Sequence, residues 1–162
     1  MLLDKIASLI IPCYIANATP LITAKIIGKT HPLDARRYFI DGRRLLGDGK
    51  SIEGFVTGIL AGTLAGMLWN KDLVFQAFIL SLGSMTGDAV GSFIKRRIGL
   101  KRGDPAPLLD QLSFIVMALI FYTLSGGTLT FTEALIILLL TPPVHILTNY
   151  IAHRLGLKDK PW

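Results

Sequence analysis

GDAVGSFIKRRIGLKRGDPAPLLDQ, residues 87–111, separates two long apolar runs. Lys95, Arg96, Arg97, Lys101 and Arg102 crowd its middle. Asp88 lies inside the run before it, and Asp110 opens the run after it. An apolar run that stops at a basic cluster and then resumes is the pattern of two membrane helices joined by a loop outside the hydrocarbon. The questions this stretch raises are how many such helices there are, and why two carboxylates flank the cations.

The composition agrees with a membrane setting. The chain has 162 residues, 51% of them hydrophobic and 17% charged, with mean hydropathy +0.54. Soluble domains are about a quarter charged. The net charge is +6 and the isoelectric point ≈ 9.7. In a membrane protein that balance speaks for orientation and anionic partners, not nucleic acid. The single cysteine, Cys13, rules out an intrachain disulfide and a cysteine-cluster metal site, and its apolar surroundings give it a structural role. At the N-terminus Asp4 sits beside Lys5, and the apolar run outlasts a signal-peptide core, so it reads as a retained first span.

The fold class is all-α: a polytopic membrane protein forming one integral membrane domain over residues 1–162, with five spans near Ile6–Ile27, Ile52–Trp69, Leu73–Ile94, Leu108–Leu124 and Phe131–Ala152. Each approaches the roughly 20 residues that cross hydrocarbon. Tight turns at Asn70–Asp72 and Ser125–Thr130 make hairpins of spans two and three and of spans four and five. Five spans put residues 28–51, 95–107 and 153–162 on one side, with Lys25 at the end of span one. Fifteen of the seventeen basic residues then share that side, leaving Lys5 and Lys71 opposite. The positive-inside rule makes the rich side cytoplasmic, the N-terminus outside and the C-terminus inside. Gly54, Gly58, Gly62 and Gly66 in span two, and Gly83, Gly87 and Gly91 in span three, repeat every four residues. Such ridges let helices approach closely. Packing within the chain is the expected use, and a homodimer face the minor alternative.

Asp88 lies about two turns before Lys95, below the end of its span. A carboxylate at that depth faces a partner or a wet cavity. Ser84, Asp88, Ser92 and Lys95 share one helix face. Asp110 follows Pro105 and Pro107 in the first turn of span four, where the helix dipole favours an anion. A buried ion pair and an ordinary first-turn acid are the plain structural alternatives. Two hard oxygen ligands beside lysines and arginines suit Mg²⁺–nucleotide chemistry. The loop GRRLLGDGKS, residues 42–51, ends like a phosphate-binding P-loop, but Arg44 stands where that pattern needs glycine. Its glycines can still turn N–H groups inward, and Arg44 and Lys50 can meet anionic oxygens; the alternative is a solvated loop that only fixes topology. Asn17 sits mid-span near Pro20, and Thr141, His145, Thr148 and Asn149 lie along span five. These are either satisfied packing groups or the lining for a polar headgroup. His31 and His153 have no usable metal spacing.

The quoted segment resembles the signature of the CDP-diacylglycerol synthase (phosphatidate cytidylyltransferase) superfamily, roughly S-x-x-K-R-x4-K-D followed by an acidic cluster. Ser92, Lys95, Arg96, Lys101 and Asp110 match it in order. The short chain, five spans, DGRRLLGDGKS and GDPAPLLDQ are most similar to its archaeal branch, the CDP-archaeol synthases. Arg102 replaces the signature aspartate, with Asp104 two residues on, and Ser113 replaces the second carboxylate of the acidic cluster. The resemblance implies that CTP reacts with a membrane lipid phosphate, an unsaturated archaetidic acid (2,3-bis-geranylgeranyl-glycerol 1-phosphate), to give CDP-archaeol and pyrophosphate with Mg²⁺. It makes Lys95 and Asp110 catalytic candidates; the intramembrane carboxylate Asp88 joins them, with Asp88 and Asp110 as the expected metal ligands. Asn17, Arg44, Gly47, Asp48, Lys50, Ser92, Arg96, Lys101 and Asp104 become substrate-binding candidates. A multi-pass protein of the cell membrane follows, with the bilayer supplying the lipid.

Two other classes share single features of the sequence. DGRRLLGDG begins like the D-G-x2-A-R hallmark of CDP-alcohol phosphotransferases, but lacks the A-R pair and the later aspartates. A small transporter or channel could use Asp88 and His145 as an ion path, but no inverted repeat is evident and the cations gather at one face.

Overall fold

A computed structural model describes residues 2–160. Among them the chain forms five α-helices: α1 (Leu2–Ile27), α2 (Ile52–Trp69), α3 (Val74–Arg97), α4 (Leu109–Leu124) and α5 (Phe131–Arg154). A 3-10 turn, Lys71–Leu73, joins α2 to α3. The expected all-helical fold and its element order are observed, with starts and stops within a few residues of those read from the sequence. α1, α2, α3 and α5 are long and apolar enough to cross a membrane, whereas α4 is a shorter apolar helix.

Local chemistry sets several of these boundaries. Ser51 is extended (φ −117°, ψ 154°) and accepts a hydrogen bond from the Gly54 N–H, capping α2. Thr130 and Glu133 form a reciprocal capping box at the start of α5. Leu108, with φ 66°, turns the chain into α4, which is why that helix begins one residue later than expected.

The glycine ridges are consumed inside the bundle. A methyl group on Gly58 would stand 2.8 Å from the Ala16 carbonyl oxygen, and one on Gly62 would strike the Pro12 carbonyl and Ser81. α2 therefore lies directly on the backbone of α1. Pro20, lacking an N–H, leaves the Ala16 carbonyl without its helical donor, so the close contact falls where the α1 ladder is broken. On the other side, a methyl on Gly87 would strike the Ser113 carbonyl, and one on Gly83 would stand 2.7 Å from Ala118 Cα. α3 and α4 thus interlock. The ridges serve packing within the chain, the expected use.

The apolar core joins Leu9 and Cys13 of α1, Leu80 of α3, Phe114, Ile115 and Ala118 of α4, and Ile137 of α5. Cys13 is fully buried, and its thiol donates to the Leu9 carbonyl at 3.1 Å. Outward faces carry exposed Leu60, Leu64, Phe75, Ile120, Leu135, Leu139 and Ile146, the surface a helix presents to lipid. With its core at the centre and an apolar exterior, the chain is a multi-pass membrane protein.

α4 has 16 residues, about 24 Å at 1.5 Å per residue, against roughly 30 Å of hydrocarbon. α3 runs on past it. The first turn of α4, which holds Asp110, is therefore recessed below the end of the bundle, and the α3–α4 loop folds over the gap.

Candidate active site

The loop between α1 and α2 is built around one residue. Asp34 is buried, and its carboxylate accepts N–H groups from Arg36 (3.0 Å), Leu46 (3.1 Å) and Gly47 (3.0 Å). Arg44 grips the same carboxylate with two nitrogens, at 3.2 and 2.8 Å. Burial opposes the Asp34 charge, but the Arg44 guanidinium and the three N–H groups outweigh it and hold the carboxyl well below its usual range. The network also holds Ala35 and Arg36 in left-handed conformations (φ 47° and 60°), which cost about 1–2 kcal/mol each. Arg44 also meets Asp48 at 3.0 Å.

Two arginines fasten this loop to the end of α3. Arg43 donates to the carbonyls of Arg96 (3.2 Å) and Arg97 (2.6 Å), satisfying acceptors that the helix end leaves open. Arg97 lies over the paired rings of Phe39 and Phe93, 4.8 Å from each centroid. It bonds Asp41 (2.7 Å) and the Arg44 carbonyl (2.6 Å). Of the basic residues in the opening stretch, Arg97 thus has a structural post.

Arg96, Lys101 and Arg102 instead face a recess. A cavity of ≈ 350 Å³ is lined by Arg43, Arg44, Arg96, Lys101 and Arg102, with Gly99 and Leu100. No carboxylate lines it. The buried Nε of Arg96 has no hydrogen-bond partner among the described residues. Such a cavity suits a polyanion, whose oxygens would satisfy both charge and donors.

Deeper in, two lysine–carboxylate pairs link the loops to the helices. Lys50 Nζ stands 2.6 Å from Asp88 Oδ2. Lys95 Nζ donates to both Asp110 oxygens, at 2.9 and 3.1 Å, and to the Asp104 carbonyl at 2.7 Å. The Ala106 N–H donates to Asp110 at 2.9 Å. Asp88 and Asp110 side chains remain 23% and 34% exposed, so neither carboxylate is sealed in.

Helix register brings further polar groups level with them. The Ser84 hydroxyl donates to the Cys13 carbonyl at 3.0 Å, so Ser84 serves the α1–α3 contact. α1 and α3 run the same way, so one turn on Asn17 comes level with Asp88. Tyr14 and Thr141 share a hydrogen bond at 2.9 Å, which places His145, one turn on, at the same height. His145 packs on Phe114 (6.1 Å between centroids), and Asn149 Nδ2 lies 3.1 Å from His145 Nδ1. His145 and Lys158 both lie within electrostatic reach of Asp88 and Asp110.

The Lys50–Asp88 and Lys95–Asp110 pairs thus form a polar layer with which helix register sets Asn17 level, and Arg44, Arg96 and Lys101 line the recess. Ser92 is half-buried on α3. Gly47 is present, but its N–H is committed to Asp34 and does not point to an open anion site. Asp48 pairs with Arg44. The Asp104 carboxylate caps the Lys101 N–H at 2.7 Å. Ser113 lies against α3, where a methyl on Gly91 would stand 2.6 Å from its Oγ. Among the described residues no three His, Cys, Asp or Glu side chains cluster as a metal site. Sequence reasoning missed Asp34, whose role depends on partners ten to thirteen residues away, and Lys158, which reads as one more tail lysine.

Five apolar helices with a cation-rich recess sunk into one end define a membrane-embedded helical protein suited to handling anions at the bilayer surface. The chain belongs to the CarS-like CDP-archaeol synthase family, whose model matches residues 1–71 and 67–162. The CDP-archaeol synthase of Methanopyrus kandleri is 48% identical over 161 residues, covering 94% of this chain and 90% of that protein. That of Thermofilum pendens is 45% identical over 159 residues, covering 94% and 78%. A solved structure described as an intramembrane enzyme for archaeal membrane lipids biosynthesis matches with TM-score 0.81 and 42% identity, over 88% of this chain and 91% of that one. Membership of this family decides against the channel and the CDP-alcohol phosphotransferase.

Proposed function

We propose that the protein is a CDP-archaeol synthase: a cytidylyltransferase that joins CTP to unsaturated archaetidic acid and releases pyrophosphate. The observation that carries this reading is the carboxylate-free basic cavity beside the Lys50–Asp88 and Lys95–Asp110 pairs, in a chain with relatives of that name. A phosphate oxygen of the lipid attacks the α-phosphorus of CTP. The new P–O bond forms as the bond to the β-phosphate's bridging oxygen breaks, and pyrophosphate leaves with that electron pair. The nucleophile is already an anion, so no side chain has to be deprotonated. The protein's work is to hold two anions together and to stabilise charge on the leaving group.

Asp88 and Asp110 offer hard oxygens in the polar layer next to the basic cavity, a donor set that fits Mg²⁺, which commonly takes one or two carboxylates and completes its shell with phosphates and water. When bound there, Mg²⁺ supplies charge neutralisation on the phosphates. Lys50 and Lys95 now neutralise the two carboxylates. With the carboxylates engaged elsewhere, both ammonium groups turn to phosphate oxygens, beside Arg44, Arg96 and Lys101. Asn17 donates its amide to the lipid phosphate. The lipid enters laterally beside Pro20, Phe55 and Met85, which line a small recess with Lys50 and Asp88. The basic end faces the cytoplasm, where CTP is found, and the N-terminus lies outside. Cysteines introduced at Lys71 and Lys160 test the orientation: only Lys71→Cys should react with an impermeant maleimide added to intact cells.

The reaction is tested with purified protein in detergent, labelled CTP, Mg²⁺ and the geranylgeranyl ether phosphate. CDP-lipid and pyrophosphate should appear in equal amounts. No CDP-lipid from any lipid phosphate would overturn the reading.

A further inference from the structure

The C-terminal tail does not leave for water after α5. Gly156, at φ 68°, ends the helix in a left-handed turn. Its N–H reaches the His153 carbonyl (3.0 Å), and the Leu157 N–H reaches that of Ala152 (2.9 Å). The chain then doubles back and is fastened. His153 Nδ1 bonds the Lys158 carbonyl at 2.9 Å. Lys25 donates to the Gly156 carbonyl at 3.4 Å, and Lys160 to the Gly103 carbonyl at 3.5 Å. One bond reaches α1 and the other the α3–α4 loop.

The fold-back aims Lys158 at the polar layer. Its Nζ donates to Asn149 Oδ1 at 3.0 Å, and Asn149 itself touches His145. Phe114 of α4 stacks on His145. One turn nearer the charged end, Asp110 and Asn149 stand level, because α4 and α5 run in opposite directions. Lys158 is half-buried. Taking an ammonium partly out of water is costly, so the fold-back holds this charge near the polar layer at a cost.

We infer that Lys158 is a further phosphate-binding residue of this site, delivered by the C-terminal fold-back and positioned by Asn149. The inference rests on the cytidylyltransferase reading for which phosphates are present, the CTP triphosphate or the lipid phosphate. The contact itself needs only phosphate oxygens.

The full-length protein in detergent is tested as wild type, Lys158→Met, Lys158→Arg, Asn149→Leu and, as a control at the other end of the bundle, Lys71→Met. Binding of labelled CTP with Mg²⁺ is measured by equilibrium dialysis without lipid, and KM and kcat are measured for both substrates. Lys158→Met should weaken CTP binding, or raise KM for the lipid phosphate, by about 10- to 100-fold. The first result assigns Lys158 to the triphosphate, the second to the lipid. Lys158→Arg should recover much of the loss, Asn149→Leu should show a smaller change of the same kind, and Lys71→Met none. A folded Lys158→Met within twofold of wild type in all four quantities overturns the inference. If that variant does not fold, unchanged binding and KM values in Asn149→Leu overturn it instead. Wild-type protein that binds CTP through Lys158 yet makes no CDP-lipid would sink the reaction and leave this inference standing.

Discussion

The two ends of the bundle use the same ion pair for different ends. At the end opposite the basic loops, Lys5 of α1 meets Glu133 of α5 at 2.9 Å. Glu133 is buried and also accepts the Thr130 N–H at 2.8 Å. At the basic end, Lys50–Asp88 and Lys95–Asp110 are as short, but their carboxylates stay partly exposed beside a cavity. A carboxylate enclosed by its own helix cap is a brace between α1 and α5. A carboxylate held by a lysine and left partly exposed can change partners. Geometry around the pair, not the pair itself, separates support from chemistry.

That contrast can be broken most sharply by removing charge. Asp88→Asn and Asp110→Asn should each lower kcat/KM for CDP-lipid formation by about 10²- to 10³-fold, while the thermal midpoint in detergent stays near wild type. Loss of folding without a specific loss of turnover would make these pairs braces too. Asp34→Asn comes next. It strips Arg44 of its enclosed partner and should destabilise the loop by about 2–3 kcal/mol, with a raised KM for CTP. The pH dependence has a definite sign. The Asp34 pKa is lowered from 3.8 on folding, so its stabilisation is complete above that value and lost as pH falls below it. A melting-temperature series should show wild type losing stability in that acidic range more steeply than Asp34→Asn, and parallel curves would exclude Asp34 as the source.

Among the arginines the contrast recurs on a smaller scale. Arg96→Met should raise KM for CTP about tenfold, because its guanidinium faces the cavity. Arg97→Met should chiefly lower stability, because its guanidinium is held by Asp41 and two aromatic rings. Equal KM effects from both would erase the distinction. The smallest effect is expected from Glu133→Gln, which should lower the thermal midpoint slightly and leave kcat and KM unchanged.

The helices were legible because bilayer thickness, glycine spacing and loop charge act through short stretches of chain. Ile52–Trp69 and the α5 start at Phe131 follow directly from Ser51 and from the Thr130–Glu133 box. The opening segment also placed Asp88, Lys95 and Asp110 near one another, since they sit at the facing ends of two helices joined in sequence. What could not be read depends on long-range closure. Lys50 and Asp88 are joined across 38 positions, and Arg43 and Arg97 across 54. No local pattern distinguishes Arg97, seated over the Phe39 and Phe93 rings, from Arg96 one residue before it. Gly47 illustrates the limit: its backbone was legible as a donor, but Asp34, thirteen residues earlier, takes the N–H. Ser113, which stands where the family signature has a carboxylate, acquires its reason only when α4 is laid on Gly87 and Gly91.

We propose that Asp88 and Asp110 at the basic end together hold the metal that accompanies CTP. Electron paramagnetic resonance of Mn²⁺ titrated into purified protein in the presence of CTP tests it without requiring turnover. The wild type should bind Mn²⁺ tightly with CTP, the Asp88→Asn/Asp110→Asn double variant should lose that bound signal, and Glu133→Gln should retain it. A folded double variant that binds Mn²⁺ with CTP as tightly as wild type would contradict the account.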